Sequence, residues 1–155
     1  MPYQNPFDLL LAGQAIWKQW RLAHADVQAY EPDLHQAQLR GVELHGFDLQ
    51  RVDLTEANLQ DADLSDTDLH EANLLHADLR NANLRGANLK KANLRGADMR
   101  DADLRQADLQ GAELGNSDFR GADLHGTNMT RAILRNALFD KVLVPNEDLD
   151  EKVPV

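Results

Sequence analysis

The chain contains no cysteine in its 155 residues. A disulfide framework and a thiolate metal site are therefore both excluded. Aromatic residues make up only 5% of the sequence, too few for the large rings that usually fill a globular core of this size. Long apolar runs are missing as well. The most apolar stretch, Leu9 to Trp17, is interrupted by Gly13 and Gln14 and falls far short of the ~20 residues a membrane span requires. Met1 to Asn5 carries no positive charge, and no small-residue cleavage site follows, so a signal peptide is not expected. Lys18 and Arg21 are the only Lys or Arg there, too few for a membrane-surface helix. These absences point to a cytoplasmic protein without membrane contact. There is no Gly-rich phosphate loop, no G-x-S-x-G and no H-E-x-x-H.

What is present is a period of five. From Leu34 to Val144 every fifth residue is apolar, mostly Leu, with Met99, Phe119, Met129 and Phe139 in the same register. Two residues before each of these stands a smaller row, mostly Ala from Ala37 to Val142. The residue between the two rows is Asp, Asn, Glu or Gln without exception from Gln38 to Asn128. An α-helix cannot use this pattern, because five residues advance about 500° and the Leu would form no stripe. A flat strand cannot either, since an odd repeat sends alternate Leu to opposite faces. The pattern closes if each pentapeptide is one short side of a coil, with both rows inward and a corner between sides. Stacked coils then form a solenoid in which each contacts only its neighbours. A weaker period of twenty, in Asp78, Asp98 and Asp118 and in Arg80, Arg100 and Arg120, hints at four sides.

Units such as Ala57-Asn58-Leu59 and Ala82-Asn83-Leu84-Arg85-Gly86 closely resemble the pentapeptide-repeat family. The resemblance implies an all-β solenoid: a right-handed quadrilateral β-helix of four pentapeptides per coil. Three segments are expected: a helical cap with its linker over 1–30, the β-helix over 31–145 and an acidic tail over 146–155. Asn5-Pro6-Phe7-Asp8 reads as a helix start, and one helix is expected from Pro6 to about His24. Its Phe7, Leu10, Ile16, Trp17 and Trp20 are expected to close the open apolar end of the first coil. The phrase from Gly13 to Arg21 resembles the leader of cyanobacterial members of the family. Gly41, Gly46, Gly86, Gly96, Gly111, Gly121 and Gly126 hold the last place of their pentapeptides, where the chain must turn.

The charge is uneven. Residues 41–75 hold Glu43, Asp48, Asp53, Glu56, Asp61, Asp63, Asp66, Asp68 and Glu71 against Arg51 alone, an acidic collar. Beyond it acids and bases nearly balance, and the Asp78 column is expected to be neutralised by the Arg80 column. Near the end, the outward polar position becomes Ile133, Leu138 and Leu143 on three successive sides. Either the terminal segment folds back over them or another chain covers them. Its four acids and few apolar residues make it a poor lid, which points to a second chain, such as a C-terminal homodimer.

No catalytic, cofactor or metal site is expected. The six His fall at different places in the repeat, and His35 and His45 stand two sides apart, so a tetrahedral zinc cluster does not form. A net charge of −10 without an aromatic-interleaved basic patch argues against nucleic-acid binding. The expectation is a non-enzymatic rod that serves as a protein-interaction or scaffold module. The resemblance supplies an alternative: some family members imitate the shape and charge of duplex DNA, bind DNA gyrase and protect it from inhibitors.

Overall fold

A computed structural model of the chain describes residues 5–24 and 31–143. The linker, Val144 and the acidic tail of the sequence reading lie outside the described residues. Within 31–143 every pentapeptide forms one side of a four-sided coil. Parallel bridges join each polar central residue to the one twenty positions on, from Asp33–Asp53 to Asp123–Leu143. Coils one to five begin at residues 33, 53, 73, 93 and 113, and 133–143 makes just over half of a sixth. The first side of each coil carries Asp33 or its equivalent, the second Gln38, the third Glu43 and the fourth Asp48.

The inward rows explain the closure. Leu49 through Leu94 on the five-residue register are fully buried, as are the small residues from Ala57 to Ala92. Each buried Leu contributes roughly 1.5–3 kcal/mol. Where the small row is polar, the hydroxyl finds a carbonyl: Thr67 Oγ1 donates to Leu44 O at 2.8 Å, Thr127 Oγ1 to Leu104 O at 2.7 Å and Ser117 Oγ to Leu114 O at 2.6 Å. The β-branched Val42 and Val52 sit at slightly wider corners. Their amides stand 3.3 Å from the turn carbonyl, against 3.0 Å at Ala57, Ala77 and Ala82, whereas the larger Phe47, at 3.1 Å, does not widen its corner in this way. On the second side Phe119 and Phe139 take the inward position, stacked with centroids 4.9 Å apart.

Between coils the backbone repeats one scheme. The Leu amide donates to the central residue of the next coil, as Leu49 N does to Asp68 O at 2.8 Å, and the corner amide donates two residues further on, as Arg51 N does to His70 O at 3.0 Å. The central residue donates backwards, as Asp53 N does to Pro32 O. Its side chain accepts from the amide two residues on, as in Asp68 Oδ1 with His70 N at 3.1 Å. An Asp or Asn there makes an Asx-type turn. That is why the position is polar, whatever else it does.

The corners are left-handed whether or not they are glycine. Gly86 has φ +68°, while fifteen non-glycine residues, among them Asp61, His76 and Lys91, have φ between 52° and 61°. Glycine content therefore understates the turning. Each non-glycine corner carries ~1–2 kcal/mol of strain, offset from Gln36 to Asn116 by the inter-coil bond its amide makes.

The leader is two helices rather than one. Helix α1 (Pro6–Leu11) starts as the sequence suggests, with Asn5 Oδ1 accepting from Phe7 N at 3.0 Å. It ends at Ala12, and Gly13 at φ 103° turns the chain into α2 (Gln14–Ala23). The turn changes which side chains face the rod. Leu9, Leu10 and Trp17 are buried, Phe7 and Trp20 are partly covered, and Ile16 is exposed. Ile16 therefore does not pack on the first coil, because the break at Gly13 rotates α2 away from the phase of α1.

Candidate interaction surface

Three surfaces stand out once the rod is assembled. The first is the acidic collar. Coil two (53–72) holds seven carboxylates and no Lys or Arg. Asp53, Asp63 and Asp68 stand at the centres of sides, and Glu56, Asp61, Asp66 and Glu71 occupy all four corners. The collar is thus a belt around the axis, extended into coil one by Glu43 and Asp48.

The belt is held by its neighbours. Coil three answers it with amides: Asn81 Nδ2 donates to Asp61 at 3.1 Å, Asn83 to Asp63 at 2.9 Å, Asn88 to Asp68 at 2.9 Å and Asn73 to Asp53 at 3.3 Å. Gln36 donates to Glu56 at 2.7 Å. Arg40 pairs with Asp61, Arg51 and Lys91 with Glu71, and Arg21 with Asp48. The Ser65 hydroxyl, which donates to Asp63, holds that carboxyl below its usual range despite some desolvation. These Asn residues had no role in the sequence reading. Their signal was available, since Asn73, Asn81, Asn83 and Asn88 each follow an Asp by twenty positions.

The second surface is the charged face of coils three to five. Arg80, Arg100 and Arg120 each donate through Nε and Nη2 to the Asp two residues before them. Arg80 and Arg100 also reach the Asp eighteen residues on, at 3.7 and 3.8 Å. The bonds from Arg80 and Arg120 lower the carboxyl pKa of Asp78 and Asp118 and raise that of each guanidinium. Asp103 and Arg105 behave alike. The columns neutralise one another.

The third is the crown of the last coils. Ile133, Leu138 and Leu143 stand above Glu113, Asp118 and Asp123 and are 57%, 50% and 54% exposed. Cations alternate with them: Arg131, Arg135 and Lys141, against Asp140 alone. Leu134 and Phe139 of the core are also only partly covered. Among the described residues no group of His and carboxylates is placed to hold a metal ion, and no helix is long and apolar enough to cross a membrane.

The profile of pentapeptide repeats matches in 8 copies, over residues 33–70, 62–101 and 97–136. The chain is a pentapeptide-repeat protein. Solved members of the family resemble it. A pentapeptide-repeat protein of the Arabidopsis thaliana thylakoid lumen is 28% identical with a TM-score of 0.55, over 74% of this chain and 76% of that one. Rfr23 of the cyanobacterium Cyanothece is 27% identical with a TM-score of 0.50, over 83% and 99%. QnrB1, a plasmid-mediated fluoroquinolone resistance protein, is 18% identical with a TM-score of 0.51, over 76% and 62%. At that identity the likeness is one of fold. No curated protein matches the chain in sequence.

Proposed function

We propose that this pentapeptide-repeat protein is a non-enzymatic, right-handed rod that docks a partner protein through its crown. One observation carries the reading: the outward position turns apolar on three successive sides while the inward rows continue unchanged. Exposed apolar residues grouped on an otherwise polar surface mark interaction sites. Elsewhere the central position is polar because the turn requires it. At Ile133, Leu138 and Leu143 that requirement is given up.

Helices α1 and α2 serve the other end. Leu34, Leu39 and Leu44 of coil one are 2%, 1% and 1% exposed, as deeply buried as mid-rod Leu, although no coil precedes them. The helices close that end with Leu9, Leu10 and Trp17, as a solenoid terminus needs.

The gyrase reading suggested by the fold shared with QnrB1 is less well supported. Duplex DNA carries about one charge per 1.7 Å along its axis. The carboxylates here circle the axis at one height, and Asp53, Glu56, Asp61, Asp63, Asp68 and Glu71 are engaged by Asn, Gln or Arg.

The test is capture of partners from an extract of the native cell by the immobilised full-length protein. Replacing Ile133→Asp together with Leu138→Asp is expected to remove the bound protein while leaving the melting temperature within a few degrees. Equal capture by the parent and the double variant would overturn the role of the crown.

A further inference from the structure

The bonds between α2 and coil one have a specific register. In coils two to four the fourth side offers two carbonyls to the preceding coil: that of the central residue and that of the residue two further on. Asp68 O and His70 O receive Leu49 N and Arg51 N, and Asn88 O and Lys90 O receive Leu69 N and Glu71 N. In coil one the equivalent carbonyls belong to Asp48 and Gln50. They receive Trp17 Nε1 at 2.6 Å and an Arg21 guanidinium nitrogen at 3.1 Å. Two side chains of α2 thus stand where the backbone amides of a preceding coil would stand.

The other end of the rod holds free donors on its first two sides. The amides of Leu134, Asn136, Phe139 and Lys141 occupy the donor positions of the last coil and have no acceptor among the described residues. In the register of the rod they match the carbonyls of residues 33, 35, 38 and 40, which no described amide takes. We infer that the first two sides of the crown pair with those of coil one in a second copy, and that the second copy's α1–α2, held on the fourth side of the same coil, must give way for the rods to meet. The inference rests on the crown being a docking surface and names one occupant: the leading edge of another copy of this chain, in head-to-tail register.

Charge supports this pairing over a two-fold one. Throughout the rod a cation that follows a core residue reaches an acid eighteen residues on: Arg80–Asp98, Lys90–Asp108, Arg95–Glu113 and Arg105–Asp123. Continued past the crown on the first side, Arg135 meets the position that Asp33 occupies in the incoming copy. Ile133, Leu138 and Leu143 come to lie behind Asp33, Gln38 and Glu43, continuing the columns of the rod. A tail-to-tail arrangement instead brings together two crowns that each carry Arg131, Arg135 and Lys141 against Asp140 alone, and an excess of like charge across the contact destabilises. A head-to-tail contact is heterologous and does not close, so it builds open chains of rods rather than dimers.

The test uses the full chain with the cap weakened, as Arg21→Ala and as Trp17→Ala with Arg21→Ala, followed by sedimentation velocity over a hundredfold range of concentration. The expected result is a concentration-dependent series of species beyond the dimer, stronger in the double variant. Adding Arg135→Glu, which sets a carboxylate against Asp33 of the incoming copy, should weaken the association of the double variant, and Asp33→Arg added to that should restore it. A cap-weakened protein carrying Arg135→Glu, mixed with the parent, should form a one-to-one complex, since one supplies the open first coil and the other the crown. Circular dichroism of each variant separates this from unfolding, and Arg21→Ala alone leaves Trp17 in place if the double variant does not fold. Folded variants that stay monomeric would overturn the inference, as would association that Arg135→Glu leaves unchanged. Association that stops at a dimer would replace it with the two-fold arrangement. If the crown captures another protein while cap-weakened copies ignore one another, only the inference about the occupant fails.

Discussion

Coil two and coil four share one backbone and one interior, yet they manage their carboxylates by different means. Coil two places acids at all four corners and receives amide donors from coil three. Coil four sets Asp98 against Arg100 and Asp103 against Arg105. The amide solution satisfies lone pairs and leaves the negative charge in place, whereas the arginine solution removes it. Both fit the same inter-coil ladder, because the central side chain has one structural duty, the bond to the amide two residues on. Beyond that duty the outer surface is free to vary. In this rod fold and surface charge are nearly independent variables.

The largest expected effect falls on what the two coils share. Leu84 of coil three is fully buried, and Leu84→Ala is expected to cost roughly 2–5 kcal/mol. A thermal melt checks it, and a shift of only a degree or two would contradict the inward column. A smaller effect separates the coils. Asn83→Asp with Asn88→Asp replaces donors to Asp63 and Asp68 by like charges, at about 1–3 kcal/mol for each unsatisfied site. Because the added cost is partly repulsion, about 1 M salt should restore part of the lost melting temperature. No such rescue is expected for Leu84→Ala.

The smallest effect concerns the arginine columns. Arg100→Gln should change stability at neutral pH by only ~0–1 kcal/mol. Its signature lies in acid. Asp78, Asp103 and Asp118 have folded pKa values below the ordinary carboxyl range, so they contribute stability that is fully present above the unfolded pKa of ~3.9. That contribution is lost as pH falls through the folded values. Arg100 adds to the lowering at Asp78 and Asp118. The variant should therefore lose less stability than the parent between about pH 5 and pH 2. Parallel pH–stability curves would show that the guanidinium does not set those carboxyls.

The coil was legible from the sequence because its cause is local: a pentapeptide states its two inward residues, its turn former and its corner. The crown was legible for the same reason, as Ile133, Leu138 and Leu143 break a rule kept at every earlier side. What was hidden depends on pairing across coils or on a single dihedral. Gly13 read as an interruption within one helix, but its positive φ divides the leader and turns Ile16 outward. The amide belt required comparing Asn83 with Asp63 rather than with its sequence neighbours. Trp17 was marked as a buried ring, correctly, but its Nε1 as a substitute for a backbone amide follows only from knowing which carbonyls of coil one lack a preceding coil.

The ladder step of twenty residues has a consequence for how such a gene can change. Inserting twenty residues in register lengthens the rod by one coil and leaves every downstream column on its own side. Inserting five keeps the interior intact but rotates all that follows by a quarter turn. The crown and the arginine columns would then lie on new sides relative to the cap. Inserting one residue breaks the five-residue register at that point, and the chain there must bulge outward before the rows resume. Growth by whole coils preserves the faces, growth by single sides reshuffles them, and any other length must be looped out of the rod.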